Sequence, residues 1–279
     1  MTTRRHAAVL GSPITHSLSP VLHRTAYREL GLDDWTYDSH DVDESALESF
    51  LGSLDDSWAG LSLTMPLKRA VLPLLDSVTD TVRSVQAVNT VLRTADGRKE
   101  GDNTDIPGMT SALRERGITH AGHAAVLGAG ATAASALAAL ARMGTRDVTA
   151  YVRSEARAAE MGRWGERLGL TVRTVAWHRA AHALNAPLVI STTPARATDA
   201  LADSVPDKPG VLFDVLYSPW PTRLAHHWQS RGGTVVGGLD LLVHQAVLQV
   251  EMMTGRRPAP VHAMRAAAER ALDARTQLV

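Results

Sequence analysis

The 279-residue sequence predicts an α/β protein of two α/β domains around a cleft. Short apolar runs typical of buried strands alternate with helical patterns along most of the chain, which indicates parallel sheets with crossover helices. The strand pattern begins twice, near Ala7 and again near Ala124, and a chain of this length can form two modest domains. Only helical patterns follow the last strand pattern, at 239–254 and 260–274, and such a tail often packs back onto the first domain.

The first series of elements is predicted to form a mixed sheet. Its parallel part consists of strand patterns at 7–10, 36–40 and 60–63, with helical patterns at 21–30 and 44–54. Between 88 and 101, two short β-rich runs flank Asp96-Gly97, a pair that favours the tight turn of an antiparallel hairpin.

The second series is a continuous alternation of strands and helices. Its strand patterns lie at 124–127, 147–152, 171–175, 188–191, 211–215 and 234–236. We therefore predict a second α/β unit at 106–237.

Composition excludes several classes of function. The chain has 29 basic and 29 acidic residues and hence no net charge, which argues against nucleic acid or an anionic membrane as the main partner. It has no cysteine, and its 12 histidines show no metal-ligand spacing, so we predict no metal site. The N-terminal residues lack the long apolar run of a signal peptide, and the cytoplasm is the expected location.

A glycine-containing turn follows the first strand pattern of the second series. Gly128, Gly130 and Ala131 lie between a buried strand and an Ala-rich helix, in the pattern Gly-x-Gly-x-x-Ala. Glycines there let the backbone approach a pyrophosphate, and the helix N-terminus supplies amides and a positive dipole. This indicates a Rossmann-like, dinucleotide-binding second domain.

The end of the next strand indicates which dinucleotide is bound. NAD sites usually carry Asp or Glu there, whereas the 2′-phosphate of NADP needs cations. Here the strand is followed by Arg153 and Ser154, with Arg157 one helical turn later. We therefore predict NADP as the cofactor, with Arg153 on the adenine or the phosphate.

Small polar residues also follow the first strand of the first domain. Ser17 and Ser19 are two apart, so in an extended segment both hydroxyls face the same way. Ser19 followed by Pro20 fits a helix N-cap and first helical position. Ser17 has no such structural explanation, and polar groups at strand ends are where α/β proteins place ligands.

A second polar strand end, residues 60–68, contains Thr64 and Lys68. Pro66 suits the first helical position and would place Lys68 in the first turn, where a cation opposes the helix dipole. The chain has three lysines among its 29 basic residues. Because Arg cannot exchange protons near neutrality, a Lys at this position is a candidate acid–base group.

Three further polar residues lie where the sequence pattern is otherwise apolar or where a helix begins, and each has a local explanation beside a functional one. Asn89 is an amide in an apolar strand pattern and requires a buried hydrogen-bond partner. Gln245 lies on an apolar helical stripe, where it is either bonded within the core or directed at a ligand. Asp105 precedes a helical pattern and on local grounds could simply cap that helix.

Six segments, in order, resemble motifs of the shikimate dehydrogenases, which reduce 3-dehydroshikimate with NADPH. The segments are 11–20, 60–68, 87–90, 101–108, 214–222 and 238–246. The chain departs from the family pattern at Ser62, where Asn is usual, at Leu241, where Met is usual, and at Ala131, where a third Gly is frequent.

The resemblance implies a function and assigns residues to it. It implies NADP-dependent interconversion of shikimate and 3-dehydroshikimate, a step of aromatic amino acid biosynthesis, with the catalytic domain at 1–105 plus 238–279 and the NADP domain at 106–237. The implied catalytic dyad is Lys68 with Asp105. The implied substrate-binding residues are Ser17, Ser19, Thr64, Asn89, Tyr217 and Gln245. The implied cofactor-binding residues are Gly128, Gly130, Ala131, Arg153, Ser154, Gly238 and Leu241.

Three alternatives remain open from the sequence. A folate-type dehydrogenase of similar architecture is one, although it would not need the Ser17–Ser19 pair. A related enzyme could oxidise quinate or an amino analogue and could use NAD, since it would share the dyad. A non-enzymatic NADP(H)-sensing regulatory protein could retain the fold, although the presence of both Lys68 and Asp105 argues against it. The expected assembly is a monomer or a homodimer.

Overall fold

The computed structural model describes residues 4–276 and divides into two compact units. One unit is Asp105–Leu241, and the other combines Met1–Thr104 with Leu242–Val279. The predicted α/β class is confirmed, because each unit contains one six-stranded sheet with helices. The functional domain borders given above stay a prediction. Within the described range, no helix is long and apolar enough to cross a membrane.

The first unit is built on a mixed sheet of order β2-β1-β3-β5-β6-β4. Its strands are β1 (Arg5–Gly11), β2 (Trp35–Asp41), β3 (Trp58–Leu63), β4 (Ser77–Val78), β5 (Thr90–Arg93) and β6 (Lys99–Asp102). Its first helices are α1 (Ser19–Glu29), α2 (Leu47–Gly52), α3 (Leu67–Ala70) and α4 (Asp80–Val85), with a 3-10 helix at Leu72–Leu74. The predicted hairpin is confirmed: β5 and β6 pair antiparallel, and Gly97 in their turn has φ +82°.

The second unit contains an entirely parallel sheet of order β12-β11-β10-β7-β8-β9. Its strands are β7 (His123–Leu127), β8 (Asp147–Val152), β9 (Thr171–Ala176), β10 (Leu188–Ser191), β11 (Val211–Asp214) and β12 (Thr234–Gly237). Its helices are α5 (Asp105–Glu115), α6 (Ala131–Arg142), α7 (Glu155–Leu168) and α8 (Arg223–Ser230), with 3-10 helices at Trp177–Asn185 and Asp199–Ser204. This is the Rossmann strand order. Strands β7 to β9 are added towards one edge of the sheet, and β10 to β12 are added on the other side of β7 towards the opposite edge.

Two helices complete the chain, α9 (Gly238–Thr254) and α10 (Val261–Thr276). Within the first unit, α10 packs against α1. The core of that unit gathers leucines and valines of the central strands and α2, among them Leu10, Leu47 and Leu61. The core of the second unit includes Trp228, which is fully buried and donates its indole N–H to the Gly210 carbonyl at 3.0 Å. Burial on both faces explains why the central strands of the second sheet are continuously apolar in sequence.

Candidate active site

The loop after β1 holds Ser17 and Ser19 differently from the sequence prediction. The prediction that Ser19 caps α1 is wrong: Ser19 is the first helical residue, and Leu18 precedes it without a side-chain capping bond. Instead the Ser17 hydroxyl oxygen accepts the Ser19 backbone N–H at 3.2 Å. Ser17 therefore does have a structural role, although its own O–H remains a donor in a half-buried position.

A buried cluster of amides and hydroxyls surrounds Asn89, and we call it the Asn89 cluster. Its members are Asn89, Thr90, Thr104, Gln245 and Gln249, none more than 7% exposed. The Asn89 Oδ1 accepts the Thr104 backbone N–H and the Thr90 hydroxyl, both at 2.8 Å. Its Nδ2 donates to Thr104 Oγ1 at 2.9 Å and to Gln245 Oε1 at 3.4 Å. The buried partner that Asn89 was predicted to require is thus present.

The bond between Asn89 and Gln245 is the longest of the Asn89 side chain's hydrogen bonds given above. Gln245 lies on α9, and its Nε2 also donates to the Leu242 carbonyl of the same helix at 2.9 Å. Of the two readings left open for Gln245, the structure shows bonding within the protein. A ligand hydroxyl would most easily replace the long Asn89–Gln245 bond, because a hydrogen bond at 3.4 Å is weaker than one at 2.9 Å.

Lys68 lies beside this cluster along the backbone, and it lies in the first turn of the short helix α3, as predicted. The Lys68 carbonyl accepts the Val88 N–H at 2.7 Å, and the Leu63 N–H donates to the Asn89 carbonyl at 2.8 Å. Thr64 is therefore also held next to Asn89 by the pairing of its neighbour. The prediction that Pro66 opens the helix is wrong, because Pro66 immediately precedes α3. Since α3 has four residues, Lys68 has no extended helix behind it, and the macrodipole of a long helix does not act on it.

Asp105 begins α5 and does not precede it, so the simple reading as an N-cap before the helix is not what the structure shows. Its side chain is buried, at 5% exposure, and it has interaction partners. It directly follows Thr104, a member of the Asn89 cluster. A carboxylate buried at the start of a helix is electrostatically favoured there by the N-terminal dipole.

Ser62 is a buried residue whose surroundings the sequence did not reveal. It lies on β3, accepts the Tyr37 phenol O–H at 2.6 Å and donates to Gln249 Oε1 at 2.8 Å. Tyr37 is fully buried, and burial raises the pKa of its phenol, with Ser62 and Ser19 acting against the rise. The phenol is therefore neutral and keeps its O–H. Gln249 had no sequence signal of its own, because its partners lie far away along the chain.

In the second unit, the predicted glycine turn occupies the switch point of the sheet. Gly128 follows β7 with φ +109°, and a Cβ added there would lie 2.6 Å from Thr192 Oγ1. Only glycine suits this position without strain. Gly130 precedes α6 without a side-chain capping bond, and a Cβ built on it would meet nothing within 4 Å. The open space beside Gly130, next to the first turn of α6 that starts at Ala131, fits the pyrophosphate of a dinucleotide.

Arg153 and Ser154 follow β8, at the same carboxyl edge of the parallel sheet. The Arg153 guanidinium lies 5.2 Å from the centroid of the Trp177 ring, a cation–π arrangement. Both Arg153 and Ser154 are exposed, and Ser154 caps α7 by accepting the Arg157 N–H at 3.4 Å. Arg157 pairs with Glu160 at 2.7 Å, which leaves Arg153 as the better candidate for a 2′-phosphate. Trp177 is a partner that the sequence did not suggest.

A buried carboxylate anchors the loop that carries Tyr217. Asp214, at the end of β11, accepts the Thr222 hydroxyl at 2.8 Å and the Leu216 N–H at 3.3 Å. Burial raises the pKa of Asp214, although both hydrogen bonds oppose the rise. Tyr217 is half-buried in this loop.

Gly238 is packed against the same loop. Its N–H donates to the Leu216 carbonyl at 3.0 Å, and a Cβ built on it would lie 2.1 Å from the Val215 carbonyl oxygen. Leu241, one turn along α9, is buried at 7% exposure. Glycine is therefore required at 238 by close backbone approach, whatever ligand the segment meets.

The chain matches two family domains. Residues 9–91 match the shikimate dehydrogenase substrate binding domain, and residues 238–269 match the shikimate 5′-dehydrogenase C-terminal domain. An NADP(+) shikimate dehydrogenase from Oleidesulfovibrio alaskensis is 38% identical over 262 residues, which is 91% of this chain and 91% of that protein. The chain belongs to the shikimate dehydrogenase family.

Solved structures agree with this membership. The crystal structure of Mycobacterium tuberculosis shikimate dehydrogenase matches with a TM-score of 0.86 and 42% identity, covering 95% of this chain and 99% of that one. The Thermus thermophilus enzyme, solved in complex with NADP(H) and shikimate, matches with a TM-score of 0.84 and 34% identity, covering 96% and 99%. The family resemblance expected from the six motifs is confirmed.

The structure brings some predicted site residues together within each unit. In the first unit, Asn89 and Gln245 are hydrogen-bonded, and Thr64 and Lys68 lie beside them through backbone pairing. In the second, the glycine turn and Arg153 share the carboxyl edge of one sheet, and Gly238 contacts the segment preceding Tyr217. The individual roles of these residues remain predictions.

Proposed function

We propose that this chain catalyses the NADP-dependent interconversion of shikimate and 3-dehydroshikimate. The observation that carries the proposal is the Asn89 cluster, in which buried amides are held in fixed orientations beside Lys68. A cyclic polyol acid needs such fixed donors and acceptors for its hydroxyls. The family membership and the complexes of relatives with shikimate and NADP(H) support the same activity.

We assign the substrate carboxylate to Ser17 and Ser19, joined by Thr64. The Ser17 hydroxyl oxygen already accepts the Ser19 N–H, so its position is held before a ligand arrives. The other hydroxyls are assigned to Asn89 and Gln245, with Tyr217 as an additional contact. Replacing the 3.4 Å Asn89–Gln245 bond by two bonds to a ligand hydroxyl leaves neither amide unsatisfied.

For proton transfer we propose Lys68, with Asp105 as its partner. During oxidation, neutral Lys68 accepts the proton of the substrate 3-hydroxyl and becomes an ammonium. The Asp105 carboxylate orients the hydroxyl and stabilises the ammonium by its charge. In the reductive direction Lys68 returns the proton to the developing alkoxide. When bound, NADP⁺ would supply the acceptor for the hydride that leaves the carbon bearing the 3-hydroxyl.

The residues present fit NADP, and we assign its pyrophosphate to the glycine turn of Gly128, Gly130 and Ala131. Arg153, with Ser154 at the start of α7, is assigned to the 2′-phosphate. Gly238 and Leu241 are assigned to the nicotinamide side, where a buried apolar residue helps to exclude water. A cytoplasmic location and a monomeric or dimeric state remain predictions.

The test combines Lys68→Met with substrate profiling. Reduced-nicotinamide absorbance is followed with shikimate or quinate against NADP or NAD, and shikimate with NADP should be the favoured pair. Lys68→Met should lose turnover by about 10²–10⁴-fold while still binding shikimate. Lys208→Met, an exposed lysine of the second unit, is the matched control and should retain activity.

Each other outcome has a definite meaning. Retained turnover in Lys68→Met would remove Lys68 from the chemistry. Comparable efficiency with quinate or NAD would identify the broader type of dehydrogenase. No turnover with any of the four pairs, in protein that still binds NADP(H), would favour the regulatory sensor.

A further inference from the structure

Five side chains in the first unit are joined by hydrogen bonds that all run in one direction. The Tyr37 O–H donates to Ser62 Oγ at 2.6 Å, and Ser62 donates to Gln249 Oε1 at 2.8 Å. Gln249 Nε2 donates to Thr90 Oγ1 at 2.9 Å, and Thr90 donates to Asn89 Oδ1 at 2.8 Å. We call this series the Tyr37–Asn89 relay. It links β2, β3 and α9 to the residue immediately before β5.

Main-chain groups fix the direction of the relay at two points. Gln249 Nε2 lies 3.1 Å from the Asn89 backbone carbonyl, which can only accept, so the amide nitrogen must face that oxygen. The Gln249 oxygen therefore faces Ser62, which must donate to it. The Thr104 backbone N–H can only donate, and it lies 2.8 Å from Asn89 Oδ1. Burial keeps Tyr37 protonated, so the first donor of the relay is always present.

The consequence appears at the far end of the relay. With Asn89 Oδ1 held by Thr90 and Thr104, the Nδ2 group is directed towards Gln245. Reversing the Asn89 amide would set its NH₂ against the Thr104 N–H and its oxygen against the Gln245 oxygen. Either contact would leave buried polar groups unsatisfied, so the observed orientation of the amide is the favoured one.

We propose that Gln249 is a positioning residue that sets Asn89 as a hydrogen-bond donor towards a substrate hydroxyl. This inference rests on the proposed function, in which Asn89 binds the substrate. Gln249 is 1% exposed and acts through Asn89 and Thr90, without contacting the substrate itself. Chemically, the site then favours a substrate that presents an accepting oxygen to Asn89.

The same geometry assigns a role to Ser62. Its single O–H is given to Gln249, and its oxygen already accepts from Tyr37. Ser62 therefore acts as an internal link of the relay, and not as a shortened substrate contact. The pair of Ser62 on β3 and Gln249 on α9 makes one functional unit across 187 residues of sequence.

The test is a double-mutant cycle on shikimate binding. Gln249→Met keeps the side-chain length but removes both donors and the acceptor. Its Kd for shikimate should rise about fivefold to tenfold, which is roughly the loss of affinity expected when one hydrogen bond is removed. The KM for NADP should be unchanged. In the Asn89→Ala background the same substitution should have almost no further effect, because its target is already absent.

If Gln249 only held α9 in place, other substitutions that loosen α9 would weaken shikimate binding as well. Thr254→Val, on the same helix, removes a hydroxyl that donates to the Val250 carbonyl and has no place in the relay, and it controls for loosening of α9. If Gln249→Met does not fold, Ser62→Ala carries the test, with the same expected direction and the same cycle against Asn89→Ala.

Three results are decisive. An unchanged Kd in the folded variant, or additive losses in the double variant, would overturn the inference. If Asn89→Ala lost shikimate binding and Gln249→Met did not, only the positioning role of Gln249 would be overturned, and the proposed function would stand. Failure of the wild-type protein to bind shikimate would instead overturn the proposed function.

Discussion

Acidification should destabilise the first unit through His23, and His23→Phe should remove that sensitivity. His23 lies on α1, fully buried, with its ring stacked on Tyr37 at 3.8 Å between centroids. Among the described residues, neither of its ring nitrogens has a hydrogen-bond partner. Burial therefore lowers the pKa of His23 to about 3, and the nearby Gln249 amide, which makes no hydrogen bond of normal geometry to the ring, acts in the opposite direction.

The direction in which pH changes the free energy of unfolding follows from proton uptake by the unfolded chain. Above 6.5, the ordinary pKa of a solvated imidazole, both states hold His23 neutral, and its contribution to stability is constant. Between 6.5 and about 3 only the unfolded state gains the proton, so stability falls as the pH falls. Each pH unit in that window lowers the free energy of unfolding by roughly 1.4 kcal/mol. From about pH 8 to about pH 5 the loss is therefore roughly 2 kcal/mol.

The assay compares urea unfolding of the wild type and His23→Phe across that pH range. Phe keeps the aromatic stacking on Tyr37 and cannot be protonated, so the difference between the two profiles isolates His23. His262→Gln, an exposed histidine on α10, should leave the wild-type profile unchanged. Parallel profiles for the wild type and His23→Phe would refute the reasoning.

Three further predictions concern the second unit. Gly128→Ala should destabilise the protein by about 1–3 kcal/mol and weaken NADP binding, because φ +109° and the approach to Thr192 exclude a Cβ. Urea unfolding measures the loss of stability, and NADP titration measures the loss of binding. Arg153→Ala should raise the KM for NADP at least about tenfold with little change for shikimate, and an unchanged KM would remove Arg153 from the site. Thr222→Val removes the donor to Asp214 and the cap of α8, and should cost about 1–3 kcal/mol. That loss should be larger at neutral than at acid pH, because the pKa of Asp214 rises further and its ionised form carries the cost; equal losses at both pH values would contradict this.

Strands were more predictable than helix ends. The six strand patterns of the second series each coincide with an observed strand. For the central strands β7, β10 and β11 the reason is burial, because a parallel sheet covered on both faces needs continuous apolar runs. The two-residue β4 has too few residues to show any period. Helix starts at Ser19 and Leu67 each differ by one residue from expectation, since several polar or proline residues in a row can each satisfy the local rules.

Motif strings located candidate site residues but did not describe their surroundings. Ser17 was expected to be free for a ligand, yet its oxygen accepts the Ser19 N–H. Lys68 was expected to gain its reactivity from a helix dipole, yet α3 ends two residues after it. In both cases the local explanation differs from the structure, because hydrogen-bond partners and helix length depend on the packed structure.

The Asn89 cluster shows most clearly what a motif omits. From sequence, Ser62 is a departure from the usual Asn that keeps a hydrogen-bonding group on a shorter side chain. In the structure its hydroxyl is turned inward to Gln249, a residue in a segment that no local pattern connects with β3. A buried glutamine on an apolar helix must satisfy both its oxygen and its nitrogen, and Ser62 and Asn89 do so from either side. The departure at one motif position is thus matched by a residue far along the chain. We therefore expect Ser62→Asn to crowd Gln249 unless Gln249 is shortened at the same time.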